Sequence, residues 1–154
     1  MIKGQYAKLI FFSIIMIVCF FAKFVPVGLA EETVHIATDD GKKLKCTYFP
    51  PLKANAAGVI LLPDTRCNRM NFDSVPRKLN EAGFAVLAMD LRYKDIIAKT
   101  KSRKDAISTI QKQDLMALVN YDAKSGVTFL SNKNEVDPER IAIIGTSLGS
   151  RIGI

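Results

Sequence analysis

Three uninterrupted apolar runs constrain this chain most: Gly58-Val59-Ile60-Leu61-Leu62, Phe84-Ala85-Val86-Leu87-Ala88-Met89 and Ile141-Ala142-Ile143-Ile144. A strand with one wet face alternates apolar and polar residues; an apolar run without alternation is predicted as a strand buried on both faces of a parallel sheet. Parallel strands need crossover connections. Between the first two runs, Phe72, Val75, Leu79 and Ala82 recur at helical spacing. Asp73 or Ser74 stands at the N-cap, Pro76 in the first turn and Gly83 just past the end. Strand, helix and strand within about thirty residues form one right-handed crossover unit. A longer excursion, Asp90 to Ser102, leads to a second amphipathic helix expected near Arg103 to Ala123. There Ile107, Ile110, Leu118 and Tyr121 share a face, with Leu115 and Val119 beside it. A polar loop containing Asp137-Pro138 is expected to follow.

Ahead of these runs the pattern differs. Val34 to Thr38 and Lys43 to Phe49 read as two strands around the turn Asp39-Asp40-Gly41. In the second, Leu44, Cys46 and Tyr48 alternate with Lys43, Lys45 and Thr47, as in a half-buried antiparallel strand. Pro50-Pro51 ends it, and Lys53 to Ala57 is a link. The fold class is therefore α/β: an antiparallel hairpin, then parallel strands with helices on both faces. Three parallel strands with the last near the end of the chain make an unfinished sheet. Residues 31–154 are accordingly expected to be the N-terminal part of a domain truncated after its third parallel strand.

The first thirty residues read as a targeting segment. Lys3 and Lys8 precede the apolar run Leu9 to Ala22, Pro26 breaks the helix, and Gly28-Leu29-Ala30 offers the small residues that a signal peptidase reads. The favoured reading is a signal peptide cleaved after Ala30. The alternative is an uncleaved membrane anchor, because Leu9 to Leu29 is nearly long enough to span a bilayer, interrupted only by Lys23 and Pro26. Cys19 is no lipoprotein signal, because Val18 before it is a poor fit. Either way the domain is expected outside the cytoplasm, periplasmic or secreted, or held at the membrane by this segment.

The net charge of +7 raises the question of a nucleic-acid or membrane partner. The first thirty residues hold three lysines and no acid, which leaves +4 spread thinly over the rest. The denser stretch Lys99 to Lys104 reads as a solvated loop or helix start. No nucleic-acid partner is expected, and a membrane only through the N-terminal segment. Export would permit a disulfide between Cys46 and Cys67, but two buried free thiols are the preferred reading. Their spacing fits no zinc signature, and a single histidine argues further against a metal site.

The third run leads straight into Gly145-Thr146-Ser147-Leu148-Gly149. A Gly-x-Ser-x-Gly segment between a strand and a helix forces a sharp turn with the serine at its tip in strained backbone. The glycines have no side chains to clash where helix and strand approach. The helix start behind Ser147 places N–H groups where an oxyanion would develop, with the amide of Leu148 as first donor. The bare pattern arises by chance in roughly one chain in twenty of this length; a buried strand ending at the first glycine makes it far more specific. A phosphate loop is the alternative, but its lysine is missing and the glycine spacing does not match a dinucleotide fingerprint.

With the hairpin, the run Val59 to Pro63, the stretch Glu81 to Arg92 and the stretch Pro138 to Gly149, the chain resembles the α/β-hydrolases in order and spacing. The resemblance covers nearly all of residues 33–154. It is closest to the dienelactone hydrolase-like and prolyl oligopeptidase-like branches. It implies that Ser147 is the nucleophile, that a second oxyanion N–H follows the Val59 to Leu62 strand, and that an acid and a histidine come later in the chain. Two departures stand out. Pro63-Asp64-Thr65 replaces the His-Gly of many members, so the second donor falls to Asp64, Thr65 or Arg66, with Thr65 the candidate. Tyr93 replaces the glycine that often follows Asp-x-Arg.

Serine needs an adjacent imidazole to take its proton. The only histidine, His35, lies upstream of Ser147, against the family's order of serine, acid, histidine. It is read as structural or exposed. Asp90 is read as structural, through a hydrogen bond to nearby backbone, and Asp114 as a helix-packing or solvated residue. The expected function is an exported serine hydrolase acting on an ester or related acyl bond of a small molecule, without cofactor, its acid and base lying outside these residues. The alternative is a non-catalytic hydrolase-like fragment or binding protein.

Overall fold

In the computed structural model, residues 31–64, 67–92, 112–147 and 149–150 are described. The N-terminal segment, the Lys99 to Lys104 stretch, residues 103–111 of the expected second helix, Thr65 and Leu148 lie outside them.

Five strands form one mixed sheet: β1 Glu32–Ala37, β2 Lys43–Phe49, β3 Ala56–Leu62, β4 Ala85–Met89 and β5 Val136–Gly145. Their order is β1-β2-β4-β3-β5. The hairpin pairs antiparallel, with Val34 opposite Cys46, and β2 runs antiparallel to β4. β3 lies parallel to both β4 and β5. The expected α/β architecture is present, with helices on both faces.

Helix α1, Val75–Glu81, follows a 3-10 turn at Arg69–Phe72. Pro76 occupies its first turn, where a missing N–H costs nothing. Phe72 and Leu79 pack on Phe49, Val59, Leu61, Val86 and Ala88. The opposite face carries the larger core of Ile36, Leu44, Cys46, Tyr48, Ile60, Leu62, Leu87 and Met89, covered by Leu118, Ala123 and Leu130. Ile60, Leu61, Leu62 and Leu87 are completely buried. Each such side chain contributes about 2 kcal/mol of burial, so β3 and β4 anchor the sheet.

The second helical region extends further than expected. An α-helix α2, Lys112–Ala117, continues through a π-helical turn, Leu118–Ala123, into α3, Lys124–Ser131. The apolar face read from the sequence ends near Ala123, and the helix runs on through Ser125 and Gly126. Packing overrides the weak helix propensity of glycine: a Cβ at Gly126 would come within 2.5 Å of Met89 Sδ, so glycine lets α3 lie directly on β4.

β5 also departs from expectation, beginning at Val136 rather than Ile141. Asp137 and Pro138 fall within the strand, where the register to β3 slips between Ala56 and Gly58. A proline without an N–H is accommodated at such an irregularity. Nor is the Ile141 to Ile144 run buried on both faces. Ile141 and Ile143 pack on the larger core, whereas Ala142 and Ile144, opposite Val59 and Leu61, are exposed. Ile144 is 45% exposed. Among the described residues β5 is an edge strand, and an edge strand keeps only the cover that its one neighbour's helices provide.

Candidate active site

β3, β4 and β5 run in the same direction, so their C-terminal ends share one rim, the side of an α/β sheet where functional groups collect. Leu62 pairs with Gly145 across β3 and β5, and the N–H of Thr146 donates to Leu62 O at 3.1 Å, one step beyond the ladder. The chain then turns sharply. Gly149 N–H donates to Thr146 O at 2.9 Å and Ser150 N–H to Ser147 O at 3.2 Å. Ser150 Oγ also donates to Ser147 O, at 2.6 Å.

Ser147 sits at the tip, exposed, with φ of 53°. A left-handed backbone costs a non-glycine residue roughly 1 kcal/mol or more and persists only where its surroundings fix it. Here they do. A Cβ on Gly145 would land on the carbonyl of Gly149 and the amide of Ser150, and one on Gly149 would land on the carbonyl of Leu62. The two glycines let strand and turn pack backbone to backbone, which forces the serine between them into its strained conformation. The strand, the two glycines and the left-handed serine are those the sequence pattern calls for. Leu148 and Thr65, the candidate N–H donors, lie outside the described residues.

The segment leaving β3 is held at several points. Cys67 N–H donates to Asp64 O at 2.9 Å, closing a turn. Asn68 and Asn71 cap the 3-10 turn reciprocally: Asn68 Oδ1 accepts from Met70 N–H at 2.8 Å and Asn71 Oδ1 from Asn68 N–H at 2.9 Å. Arg69 then meets Asp90, at the end of β4. Its main-chain N–H donates to Asp90 Oδ1 at 2.8 Å, its Nη1 to Asp90 Oδ2 at 2.8 Å, and its Nε to Thr47 Oγ1 at 2.9 Å.

A second ionic cluster sits two residues on. Arg92 donates from its main-chain N–H to Asp122 Oδ2 at 2.9 Å and from Nε to Asp122 Oδ1 at 2.7 Å. Its remaining nitrogens reach Asp40 in the β1–β2 turn, and its guanidinium lies 5.4 Å from the centre of the Tyr121 ring. Asp122 is fully buried in the π-helical turn, and burial raises its pKa against the opposing pull of Arg92. The Arg92 guanidinium holds the Asp40 carboxyl well below the usual carboxylate range. The sequence singled out Arg92 but none of its partners, because Asp40 and Asp122 are remote in the chain and share no pattern with it.

His35 is exposed on β1, at the opposite edge of the sheet from β5. Four strand spacings, roughly 19 Å, separate the two strands, so its imidazole lies far from Ser147. Cys46 is buried, Cys67 partly buried, and both are free thiols. Burial pushes the Cys46 thiol up to about 12. Two cavities, of about 250 Å³ beside His35 and Phe129 and about 150 Å³ beside Thr47 and Arg69, do not include Ser147.

A family model, the dienelactone hydrolase family, matches residues 44–154. No curated protein matches the chain. Among solved structures the chain is similar to a dienelactone hydrolase-like promiscuous phosphotriesterase from metagenomic libraries, with a TM-score of 0.61 and 22% identity over 80% of this chain and 52% of that one. It is similar to a dienelactone hydrolase of Anabaena variabilis, with a TM-score of 0.55 and 18% identity over 80% of this chain and 55% of that one. It is also similar to an esterase of Pyrococcus furiosus, with a TM-score of 0.56 and 25% identity over 81% of this chain and 46% of that one. The chain therefore spans about half the length of these solved structures.

Proposed function

The chain belongs to the dienelactone hydrolase family, and from that premise we propose that it carries the nucleophile of an exported serine hydrolase cleaving an ester or related acyl bond of a small molecule. The observation that carries this reading is Ser147, left-handed at φ of 53° between two glycines packed against the end of β3.

On this reading Ser147 Oγ attacks the acyl carbonyl while an imidazole takes its proton. The N–H of Leu148 and an N–H from the segment after β3, with Thr65 as candidate, hold the oxyanion. Collapse of the tetrahedral intermediate expels the alcohol and leaves an acyl-serine, which water then hydrolyses. The acid and imidazole come from outside these 154 residues: no Asp, Glu or His follows Ser147, and His35 is remote. No step calls for a cofactor. The apolar N-terminal segment supports export, with cleavage after Ala30.

A fluorophosphonate probe tests the proposal. Labelling of the natural protein at its full length, lost in Ser147→Ala, is the expected result; a folded protein that does not label sinks it. The stretch 31–154 alone should not label. N-terminal sequencing of the exported protein is expected to begin at Glu31, and retention of residues 1–30 would favour the anchor.

A further inference from the structure

We propose that the second helical region is a two-register element, and that Arg92 holds it in the register with the π-helical turn. This device is independent of the chemistry proposed for Ser147. Across Leu118–Ala123 the helical ladder widens: Lys124 N–H donates to Val119 O, five residues back, as well as to Tyr121 O. The extra residue taken up by such a turn rotates α2 by one position, about 100°, relative to α3.

That rotation decides which side chains reach the sheet. Counted back from the buried Ala123, an uninterrupted α-helix sets Val119 and Met116, four and seven residues earlier, on the face of Ala123 and carries Leu118 off it. The structure has Leu118 fully buried, Leu115 packed on the same core and Met116 48% exposed. Val119 packs on the core here and faces it in either register. The sequence thus carries two apolar sets, Leu115 with Leu118 for the π register and Met116 with Val119 for the α register. Leucine and methionine replace one another in cores at little cost. The two packings therefore lie close in energy, and a polar contact decides between them.

Arg92 supplies that contact. It grips two neighbours in the widened turn, Asp122 through its main-chain N–H at 2.9 Å and Nε at 2.7 Å, and the Tyr121 ring, whose centre lies 5.4 Å from the guanidinium. The ion pair is shielded from water, with side-chain exposures of 8% for Arg92 and 0% for Asp122. Inside the turn, Ser125 Oγ donates to Asp122 O at 2.8 Å. Closing the turn to α-helical pitch rotates Tyr121 and Asp122 about the helix axis by different amounts, so the paired grip is matched to the wide turn. Without it, Met116 replaces Leu118 against the sheet and α2 turns by about 100°.

Native methionines report the register. The natural protein at its full length is treated with hydrogen peroxide, and oxidation is followed by peptide mass spectrometry at Met116, at Met70, which is 68% exposed, and at Met89, which is fully buried. In the wild type Met116 should oxidise with Met70 while Met89 is spared. Two variants release the turn: Arg92→Ala, and Arg92→Met combined with Asp122→Leu, which leaves no buried charge unpaired. Oxidation of Met116 scales with the fraction of chains in the π register, so both variants should slow it about fivefold or more relative to Met70. A cluster that serves stability alone gives the opposite sign, because a loosened helix oxidises Met116 as fast or faster. A Met116-to-Met70 ratio that is unchanged or raised in the variants overturns the proposal. Where oxidation of Met89 shows that Arg92→Ala has unfolded, the double variant decides alone.

Discussion

The main-chain N–H of Thr146 donates to the carbonyl oxygen of Leu62 at 3.1 Å, so the residue before Ser147 is bound to the last residue of β3. A Cβ on Gly149 would land on that same carbonyl. Leu62 is thus the fixed point around which the turn folds, and substitutions there separate strain from chemistry.

Ser147 bears a left-handed φ that alanine would bear equally and glycine would not. In the natural protein, Ser147→Gly should unfold with a free energy about 1 kcal/mol higher than Ser147→Ala. Equal urea midpoints and slopes for the two variants would show that the turn is unstrained.

Gly145→Ala and Gly149→Ala place a methyl group on backbone atoms, which must shift to admit it. Each should cost about 3 kcal/mol, at the upper end of the range for overpacking, and read out as a lowered urea midpoint. Gly126→Ala meets the flexible end of Met89 and should cost less than either.

Asp122→Ala leaves the guanidinium of Arg92 without the partner that also accepts its main-chain N–H. Breaking a buried pair from one side costs about 3 to 5 kcal/mol, so thermal unfolding of this variant should move down sharply. Asp40, at the other end of the cluster, has a pKa lowered from 3.8 chiefly by its hydrogen bond to Arg92. Between the lowered and the ordinary value the unfolded chain binds the extra proton, so this stabilisation is present above pH 3.8 and is lost as pH falls below it. Asp40→Asn should flatten the acid limb of the stability profile; an unchanged limb would show that the pair contributes nothing.

Cys46 is buried with its thiol pKa raised to about 12, whereas Cys67 is only partly buried. A short pulse of maleimide at pH 7.5 on the native protein should label Cys67 and spare Cys46 until denaturant is added. Label at Cys46 before Cys67 in peptide mapping would contradict the burial order.

Expressed alone, 31–154 presents β5 as a sheet edge with Ile144 exposed. An uncovered apolar edge pairs with other chains, so light scattering should find it associated, and Ile144→Lys should reduce the association. A monomer with a cooperative thermal transition would count against this.

Much of the fold was legible because it rests on local rules. Alternation along Lys43–Phe49 gave a strand with those ends, and the apolar runs gave three more strands. The 3-4-3 spacing with Pro76 gave the region of α1, although Phe72 belongs to the preceding 3-10 turn rather than to the helix. The continuation of the second helix through Ser125 and Gly126 was not legible, because the reason for that glycine is Met89, on another element. The start of β5 at Val136 was hidden by Asp137-Pro138, which reads as loop until Ala56 is seen across from it. Asp90 was legible as a backbone-bonding residue, but not that the backbone would belong to Arg69.

By itself the sequence determined an α/β sheet, its family resemblance and the turn at Ser147, because periodicity, glycine placement and turn chemistry act over a few neighbouring residues. Tertiary structure alone decided which charges meet, Asp90 with Arg69 and Arg92 with Asp122 and Asp40, and which side of β5 is covered. Those contacts join segments 21, 30 and 52 residues apart, and their pairing follows from strand order and helix placement, which no local pattern encodes.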